Sequence, residues 1–121
     1  MTPTPPLRGD LLRTPVSAAR VAADLRARGF RVGRLDAHDR AEFVEHVAAA
    51  LQFPAHYGRN LDALWDCLTD LTVPTALVWT GWEDLAVSHP DDWAAVMAVL
   101  VDRIRAEPPF TLVLAAASAG H

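Results

Sequence analysis

The amino-acid sequence predicts a small α/β domain in which helices pack over a three-stranded parallel sheet. Residues 75–79 and 110–114 are short apolar runs, which are typical of strands buried on both faces. These runs alternate along the chain with segments of helical spacing, and that alternation favours parallel strands joined by right-handed crossovers. A length of 121 residues is ordinary for one domain. The patterns leave the order of the strands open.

The start and the end of the chain are expected to lie outside this domain. Residues 1–15 contain four of the nine prolines and few large apolar side chains, which indicates a flexible or extended arm. Residues 16–28 predict an N-terminal helical extension, with Ser17 as the capping residue. The domain itself is then expected over residues 29–115, and residues 116–121 form a tail.

Local patterns define the first strand and the first helix of the domain. Residues 30–35 alternate apolar with other side chains, as a half-buried strand does. Asp39 followed by Glu42 is typical of a helix N-terminus, because both side chains can bind the free amide groups there. The helix is expected to end at Phe53-Pro54, since the residue before a proline disfavours helical backbone.

The last helix is expected to begin at Pro90, because the first turn of a helix needs no amide hydrogen at that position. Asp91 and Asp92 are favourable at the positive end of this helix. Its apolar residues recur at helical spacing. They are Trp93, Val96, Met97, Leu100, Val101 and Ile104.

The segment from Tyr57 to Leu68 predicts a short helix with two distinct faces, and Asn60 can cap its N-terminus. One face is apolar, with residues at i, i+3, i+4 and i+7. These core-facing residues are Leu61, Leu64, Trp65 and Leu68. The neighbouring face carries three carboxylates at i, i+4 and i+8. They belong to Asp62, Asp66 and Asp70, and we call these three residues the acidic stripe.

The acidic stripe indicates a cationic partner. Like charges at this spacing destabilise a helix by about 0.2–0.5 kcal/mol per pair, so the fold does not need them. Four residues of helix rise about 6 Å, which is close to the spacing of successive phosphates on a nucleic-acid strand. Such a face suits a phosphate-binding cleft. The alternative is a solvated helix face on which Arg59 offsets part of the charge, and the spacing alone does not decide between the two.

Charge is distributed unevenly along the chain. Residues 1–40 carry eight arginines against four acidic residues, and residues 41–121 carry three arginines against eleven, which gives +4 and −8. The acidic body disfavours direct binding of nucleic acid and favours a basic protein surface as the partner. The basic first part is expected to be a solvated helix face rather than a nucleic-acid or membrane contact.

The sequence also predicts a cellular setting. It contains no run of about twenty apolar residues, so neither a transmembrane helix nor a membrane partner is expected. The first residues lack the apolar core of a secretory signal, and the single cysteine, Cys67, cannot form an internal disulfide. These observations favour the cytoplasm. Cys67 is expected to be a packed small side chain rather than a reactive thiol.

The residue types favour binding over catalysis. The sequence contains no nucleophile elbow, phosphate-binding loop or dinucleotide fingerprint. Asp62 and Asp66 have the chemistry of a general acid and base, but the pattern around them predicts no substrate cleft. His56 together with Asp62 and Asp66 is a candidate for a divalent-metal site. The balance of these observations predicts a protein that is not an enzyme and has neither a metal nor another cofactor.

The run from Pro54 to Thr69 resembles the signature of the barstar family, the intracellular inhibitors of barnase-type ribonucleases. The closely matching pieces are Tyr57-Gly58, the segment from Asn60 to Trp65, and Asp66-Cys67-Leu68-Thr69. Weaker similarity links residues 30–51 to the family's first strand and helix. It also links residues 74–79, with Trp82 and Glu83, to the second strand, and residues 110–114 to the last strand. The resemblance therefore covers roughly residues 29–115.

This resemblance implies an immunity-type ribonuclease inhibitor. Its loop and helix from His56 to Asp70 would plug the cationic active site of a cognate basic ribonuclease, either extracellular or toxin-borne. Asp66 would be the anchor at the place of a substrate phosphate, and Asp62 would be the second acidic contact. The other partner-binding residues that the resemblance implies are His56, Gly58, Asn60, Leu61, Trp65 and Asp70. Such an inhibitor would be monomeric when free.

The chain departs from the family pattern around the anchor residues. His56 stands where the family has a contacting Tyr, and Arg59 stands where it has Glu. Asp70 and Leu71 replace a Gly and a Trp, and Asp102 is the nearest match to an acidic residue on the family's later helix. Because the anchors are kept and the periphery differs, the resemblance implies a related cleft in a different enzyme. The alternative is a regulatory or scaffold protein of this fold that binds a basic protein other than a nuclease.

Overall fold

The computed structural model describes residues 7–116, which form an α/β fold on one four-stranded parallel sheet. The strands are β1 (Leu11–Ser17), β2 (Arg31–Asp36), β3 (Thr75–Thr80) and β4 (Phe110–Ala116). The helices are α1 (Ala18–Ala27), α2 (Arg40–Leu51), α3 (Leu61–Thr69), α4 (Trp82–Ser88) and α5 (Pro90–Ile104). The strand order is β1-β4-β3-β2, and each neighbouring pair is parallel. The α/β class and the parallel sheet are therefore confirmed.

The predicted number of three strands is wrong, because β1 adds a fourth strand at the edge of the sheet. β1 pairs with β4 from Leu11, opposite Leu112, onward. The sequence hides this strand because most of its side chains are exposed on both faces, so no apolar alternation marks it. Pro15 lies within an irregularity of the pairing, and an edge strand tolerates its missing amide hydrogen.

The predicted terminal segments are only partly described by the structure. Residues 11–15 of the expected arm belong to β1, so that part of the prediction is corrected. Ala116 of the expected tail is the last residue of β4. Residues 1–6 of the arm and residues 117–121 of the tail lie outside the described residues.

α1 covers one face of the sheet and completes a small core there. The Ser17 hydroxyl accepts a hydrogen bond from the Arg20 amide at 3.4 Å, as expected for the capping residue. Leu25 is buried together with Val78 and Val113 of the two central strands. The segment that reads as an extension in the sequence therefore packs on the same sheet as the rest of the described chain.

The larger core lies between the other face of the sheet and helices α2 to α5. Trp79 is its centre, with its ring 4.6 Å from that of Phe43 and 5.6 Å from that of Trp93. The Trp79 indole N–H donates a hydrogen bond to the Ala37 carbonyl at 2.9 Å, which satisfies its buried polar atom. Residues 75–79 are all fully buried, as predicted for a strand covered on both faces.

The segment after β3, which holds Trp82 and Glu83, is the helix α4. Gly81 has a φ of +85°, a conformation that ends extended backbone and that glycine adopts readily. Glu83 and Asp84 then lie in the first turn of α4, where the helix dipole favours negative charge. The buried Trp82 indole N–H donates to the Ala115 carbonyl at 3.0 Å and ties α4 to β4.

α2 follows the predicted signals closely and lies unusually near the sheet. The Asp39 carboxylate accepts the Glu42 amide at 2.8 Å, and the Glu42 carboxylate accepts the His38 amide at 2.8 Å. A Cβ atom on Gly33 of β2 would overlap the carbonyl oxygen of Ala50. The missing side chain at position 33 therefore lets the end of α2 approach the strand.

α5 is the longest of the described helices, and Pro90 occupies its first turn as predicted. Its fully buried residues are Val96, Leu100 and Arg103, whereas Val101 and Ile104 are only partly buried. Within residues 7–116, no helix has the length and apolar character needed to cross a membrane.

Candidate partner-binding surface

The acidic stripe lies on α3, and Asn60 sets the start of this helix. The Asn60 side-chain oxygen accepts the Ala63 amide at 2.8 Å, as predicted for the capping residue. The side-chain amide of Asn60 also donates to the Gly58 carbonyl at 3.3 Å. Leu64 and Leu68 are fully buried and hold the helix against the larger core. The loop and the first turn are thus fixed to each other and to the fold.

The loop between α2 and α3 is anchored by Tyr57, whose ring is buried edge-on against Phe53 at 5.1 Å. Two loop residues have left-handed backbone, Gln52 with a φ of +57° and Arg59 with a φ of +52°. Gln52 ends α2, and Arg59 comes directly before the capping residue of α3. Left-handed backbone is uncommon for residues other than glycine and occurs often at functional sites.

The eight residues that the sequence predicts for partner binding all reach the surface. Seven of them are exposed and Leu61 is partly buried. Asp62, Trp65 and Asp66 share one face, because positions i, i+3 and i+4 are neighbours on a helix. Trp65, which the apolar spacing places in the core and the family resemblance places at the partner contact, is 37% exposed. Its partly exposed ring therefore adds an apolar element beside the two carboxylates.

The carboxylates of the acidic stripe have no cationic neighbour in the described structure. Among residues 7–116, no arginine or histidine nitrogen lies within 4.0 Å of their oxygens. Arg59 is directed elsewhere, because its Nε donates to Glu45 Oε2 on α2 at 2.5 Å. The alternative in which Arg59 offsets the charge of the stripe is therefore not the arrangement observed.

Asp102, the candidate for an additional acidic contact, has a cationic neighbour, unlike the three residues of the acidic stripe. It lies on α5 with an exposed carboxylate, and its Oδ1 is 3.9 Å from Nη1 of Arg105 one turn later. An ion pair between exposed groups at this distance is weak, but it does offset the local charge. The structure thus gives Asp102 an internal partner that Asp62 and Asp66 lack.

Two potentially reactive groups near α3 are held in unreactive forms. Burial raises the pKa of the Cys67 thiol, and the carboxylates of Asp70 and Asp66 raise it further. Burial also raises the pKa of Tyr57 to about 12, and its hydroxyl is enclosed without a hydrogen-bond partner among the described residues. Since nucleophilic chemistry needs the deprotonated forms, this surface suits binding rather than covalent catalysis.

The candidate metal site at His56 has no support in the geometry. Across residues 7–116, no three side chains of His, Cys, Asp or Glu are placed so that they could hold a metal ion. His56 lies in the loop, whereas Asp62 and Asp66 lie on the exposed face of α3. The three residues therefore form part of one surface but not a coordination site.

Sequence reasoning missed one residue that contacts α3 from inside the fold. Arg103 on α5 is fully buried, and its Nε donates to the Leu68 carbonyl at 2.7 Å. It follows the buried residues Val96 and Leu100 by seven and three positions, so it lies on the apolar stripe of α5. That position was the available signal, and the charge of the side chain obscured it.

Comparisons with known proteins identify the family of this chain. The family model described as Barstar (barnase inhibitor) matches residues 29–115, which is well over half of the chain. A protein of Bacillus subtilis (strain 168) named "Putative ribonuclease inhibitor YrdF" is 41% identical over 61 residues. That match covers 47% of this chain and 67% of the relative, and it supports the same assignment. The chain belongs to the barstar family.

Proposed function

We propose that this protein is a ribonuclease inhibitor, not an enzyme, and that residues 56–70 plug the cationic active site of a cognate ribonuclease. Membership of the barstar family and the similarity to a Bacillus subtilis protein named as a ribonuclease inhibitor support the inhibitor role. The cognate enzyme would be secreted or toxin-borne. The inhibitor would act in the cytoplasm and be monomeric when free.

The observation that carries this proposal is a row of exposed carboxylates with no internal counter-charge. Asp62 and Asp66 have no cation within 4.0 Å among the described residues, and the nearby Arg59 is bound to Glu45. A ribonuclease cleft holds phosphate groups through cationic side chains. A carboxylate can take the place of a phosphate there by accepting charge-assisted hydrogen bonds.

Each predicted residue has a distinct proposed role. Asp66 is the anchor in the phosphate position, and Asp62 is the second acidic contact, with Asp70 extending the acidic surface along α3. The partly exposed Trp65 would exclude water at the edge of the contact, as aromatic residues often do at interfaces. The loop residues that would pack against the enzyme are His56, Gly58, Asn60 and Leu61. Because Asn60 already fixes this loop, binding would lose little conformational entropy.

The periphery of the site would decide which ribonuclease is bound. Arg59 is paired with Glu45 next to the loop that leads into α3, where the family has an acidic side chain, so an enzyme that presents a cation at that point would lose an acidic contact and meet a guanidinium instead. This charge favours a cognate enzyme whose cleft carries its cations opposite Asp62 and Asp66 and an acidic or neutral group opposite Arg59. We therefore expect selectivity among ribonucleases rather than general inhibition.

The experiment is a titration of ribonuclease activity with this protein and with its Asp66→Ala variant. The enzymes are barnase and the secreted or toxin-borne ribonucleases encoded in the same genome. Stoichiometric inhibition by the unmodified protein is expected for the cognate enzyme. Truncating a central desolvated residue costs about 2 kcal/mol or more, so the variant should bind roughly thirtyfold more weakly or worse. That magnitude rests partly on the barnase–barstar complex itself, so it is carried over from the family.

Asp24→Ala is the matched control, because it removes the same charge from α1 on the opposite face of the sheet. This variant should inhibit as well as the unmodified protein. An equal loss in both variants would show that net charge, rather than the acidic stripe, drives binding. Failure to inhibit any of the enzymes would reject the inhibitor role and favour a basic protein other than a nuclease.

A further inference from the structure

We propose that Arg103 is a positioning residue that fixes the partner-binding helix α3 from inside the fold. This inference rests on the proposed function of α3, but the geometry behind it does not. Arg103 lies on α5, outside residues 56–70, and its side chain is fully buried, so it cannot touch a partner.

The Arg103 guanidinium joins three parts of the molecule. Its Nε donates to the Leu68 carbonyl of α3 at 2.7 Å, and its Nη1 donates to the Ala106 carbonyl at 3.3 Å. Its central carbon lies 5.6 Å from the centre of the Phe110 ring at the start of β4. The side chain therefore connects α3, the residues just after α5, and the sheet.

The contact falls where α3 needs a donor. The last four carbonyls of an α-helix have no amide partner within the helix, and Leu68 is the next-to-last residue of α3. A positive charge at the C-terminus also complements the helix dipole. The backbone amides of Leu71, at a long 3.3 Å, and of Asp70 also face the Leu68 carbonyl, so the Arg103 Nε at 2.7 Å is its short, well-formed donor. Arg103 is thus the main ligand of this carbonyl.

Burying the Arg103 guanidinium at a core position costs free energy. Within residues 7–116, no carboxylate lies within 4.0 Å of the Arg103 guanidinium, and its Nη2 has no hydrogen-bond partner. Burial lowers the pKa of Arg103, and the charge of Glu107, which makes no contact with the guanidinium, offsets this only in part. A buried charge without a contacting ionic partner is strongly disfavoured, and an apolar side chain of similar volume often replaces such a group with no loss of stability. Packing alone therefore does not explain an arginine here, whereas a fixed direction for the end of α3 does.

The hydrogen bond from Arg103 affects binding because it restricts the motion of α3. Hydrophobic contacts of Leu64 and Leu68 hold α3 against the core but permit small rotations and slides. A hydrogen bond from a buried, planar guanidinium has a defined direction and limits both. Asp62 and Asp66 would then be presented at one fixed orientation, which lowers the cost of matching the cations of a ribonuclease cleft.

The test compares Arg103→Met with Arg103→Lys, at a temperature where each variant is fully folded. The first readout is amide hydrogen exchange without any partner. Exchange in α3 should be at least tenfold faster in Arg103→Met, with the amides of β3 unchanged, and Arg103→Lys should lie between Arg103→Met and the unmodified protein. The second readout is inhibition of the ribonuclease identified above, which should weaken at least tenfold in Arg103→Met and less in Arg103→Lys.

Unchanged exchange in α3, or exchange that rises equally in α3 and β3, would overturn the positioning role. A folded Arg103→Met protein that inhibits as strongly as the unmodified protein would also overturn it. If Arg103→Met fails to fold, the same comparison is made with Arg103→Lys alone. Because hydrogen exchange needs no ribonuclease, failure of the inhibitor proposal and failure of the positioning proposal give different results.

Discussion

Asp66 stands between Asp62 and Asp70 on α3, so its carboxylate has a like charge four residues away on each side. Each such pair destabilises a helix by about 0.2–0.5 kcal/mol, and no arginine or histidine nitrogen within residues 7–116 lies within 4.0 Å of these carboxylates. The helix stays in place because Leu64 and Leu68 are fully buried beneath it. The buried leucines therefore compensate for the repulsion within the acidic stripe. The fold itself does not need these three carboxylates.

His38 predicts a pH dependence of stability outside the partner-binding surface. Its Nδ1 lies 2.6 Å from Asp84 Oδ2, and its Nε2 lies 3.3 Å from Asp36 Oδ2. Only the protonated ring can donate both hydrogen bonds. The bond to Asp84 raises the pKa of His38 above its ordinary 6.5, and the charge and hydrogen bond of Asp36 raise it further.

A raised pKa means that the folded protein binds this proton more tightly than the unfolded chain does. The stabilisation is therefore fully present below pH 6.5 and is lost as the pH rises through the higher pKa of the folded state. We expect His38→Gln to lower the free energy of unfolding at pH 5.5 relative to the unmodified protein, with the difference shrinking by pH 9. Urea unfolding at both pH values measures this difference in the free energy of unfolding. A difference that is the same at both, or that grows with pH, would contradict this account of the cluster.

Individual residues also show what the sequence can predict. The capping roles of Ser17, Asp39 and Asn60 follow from local chemistry, and the structure has all three as expected. For Trp65 the apolar spacing of α3 predicts a core position and the family resemblance predicts a partner contact, and the structure leaves the side chain 37% exposed. Arg103 lies on the apolar stripe of α5, but its charge hid its burial.

At the scale of elements, the approach of α2 to β2 depends on the absence of a side chain at position 33. We expect Gly33→Ala to destabilise the fold by about 1–3 kcal/mol, the usual cost of forcing extra volume into a packed site. The new Cβ would overlap the Ala50 carbonyl oxygen, which belongs to the backbone and cannot rotate away. Chemical denaturation measures the change.

Gly58→Ala is the control for this prediction, because a Cβ there would meet the Ala63 Cβ and the Asn60 side chain at an acceptable 3.4 Å. Its free energy of unfolding should stay within about 0.5 kcal/mol of the unmodified protein, as for most surface substitutions. If Gly33→Ala proved as mild as Gly58→Ala, the close contact between α2 and β2 would not be a constraint on the fold.

Strands and helices that are buried on one face or on both can be predicted from the sequence, because their apolar residues follow a regular pattern. An exposed edge strand and a very short helix cannot. β3 and β4 read as strands because all positions except the last one of each strand are buried. β1 is an edge strand with exposed residues and an internal proline, so it reads as an arm. α4 has only seven residues, which is too short for a clear helical period, and its start depends on the backbone of Gly81.

For the molecule as a whole, the sheet separates two surfaces of different charge. α1 exposes Arg20, Arg26 and Arg28 on one side, and α3 exposes the acidic stripe on the other. Fields of this kind orient a charged partner before contact and raise its rate of association. A basic enzyme would therefore meet α3 more often than α1, and its association would slow as salt screens the field. The sequence predicts the charge imbalance, and the topology places α1 and α3 on opposite faces of the sheet.

Competition for the active site tests the central claim most directly. The cognate ribonuclease is titrated with this protein at increasing concentrations of a nucleotide monophosphate that occupies the catalytic cleft. If Asp66 and Asp62 take the place of substrate phosphates, the apparent Kd of the inhibitor will rise in inverse proportion to the fraction of enzyme that remains free of nucleotide. An apparent Kd that does not change while the nucleotide fills the cleft would place the contact elsewhere on the enzyme and contradict the plug.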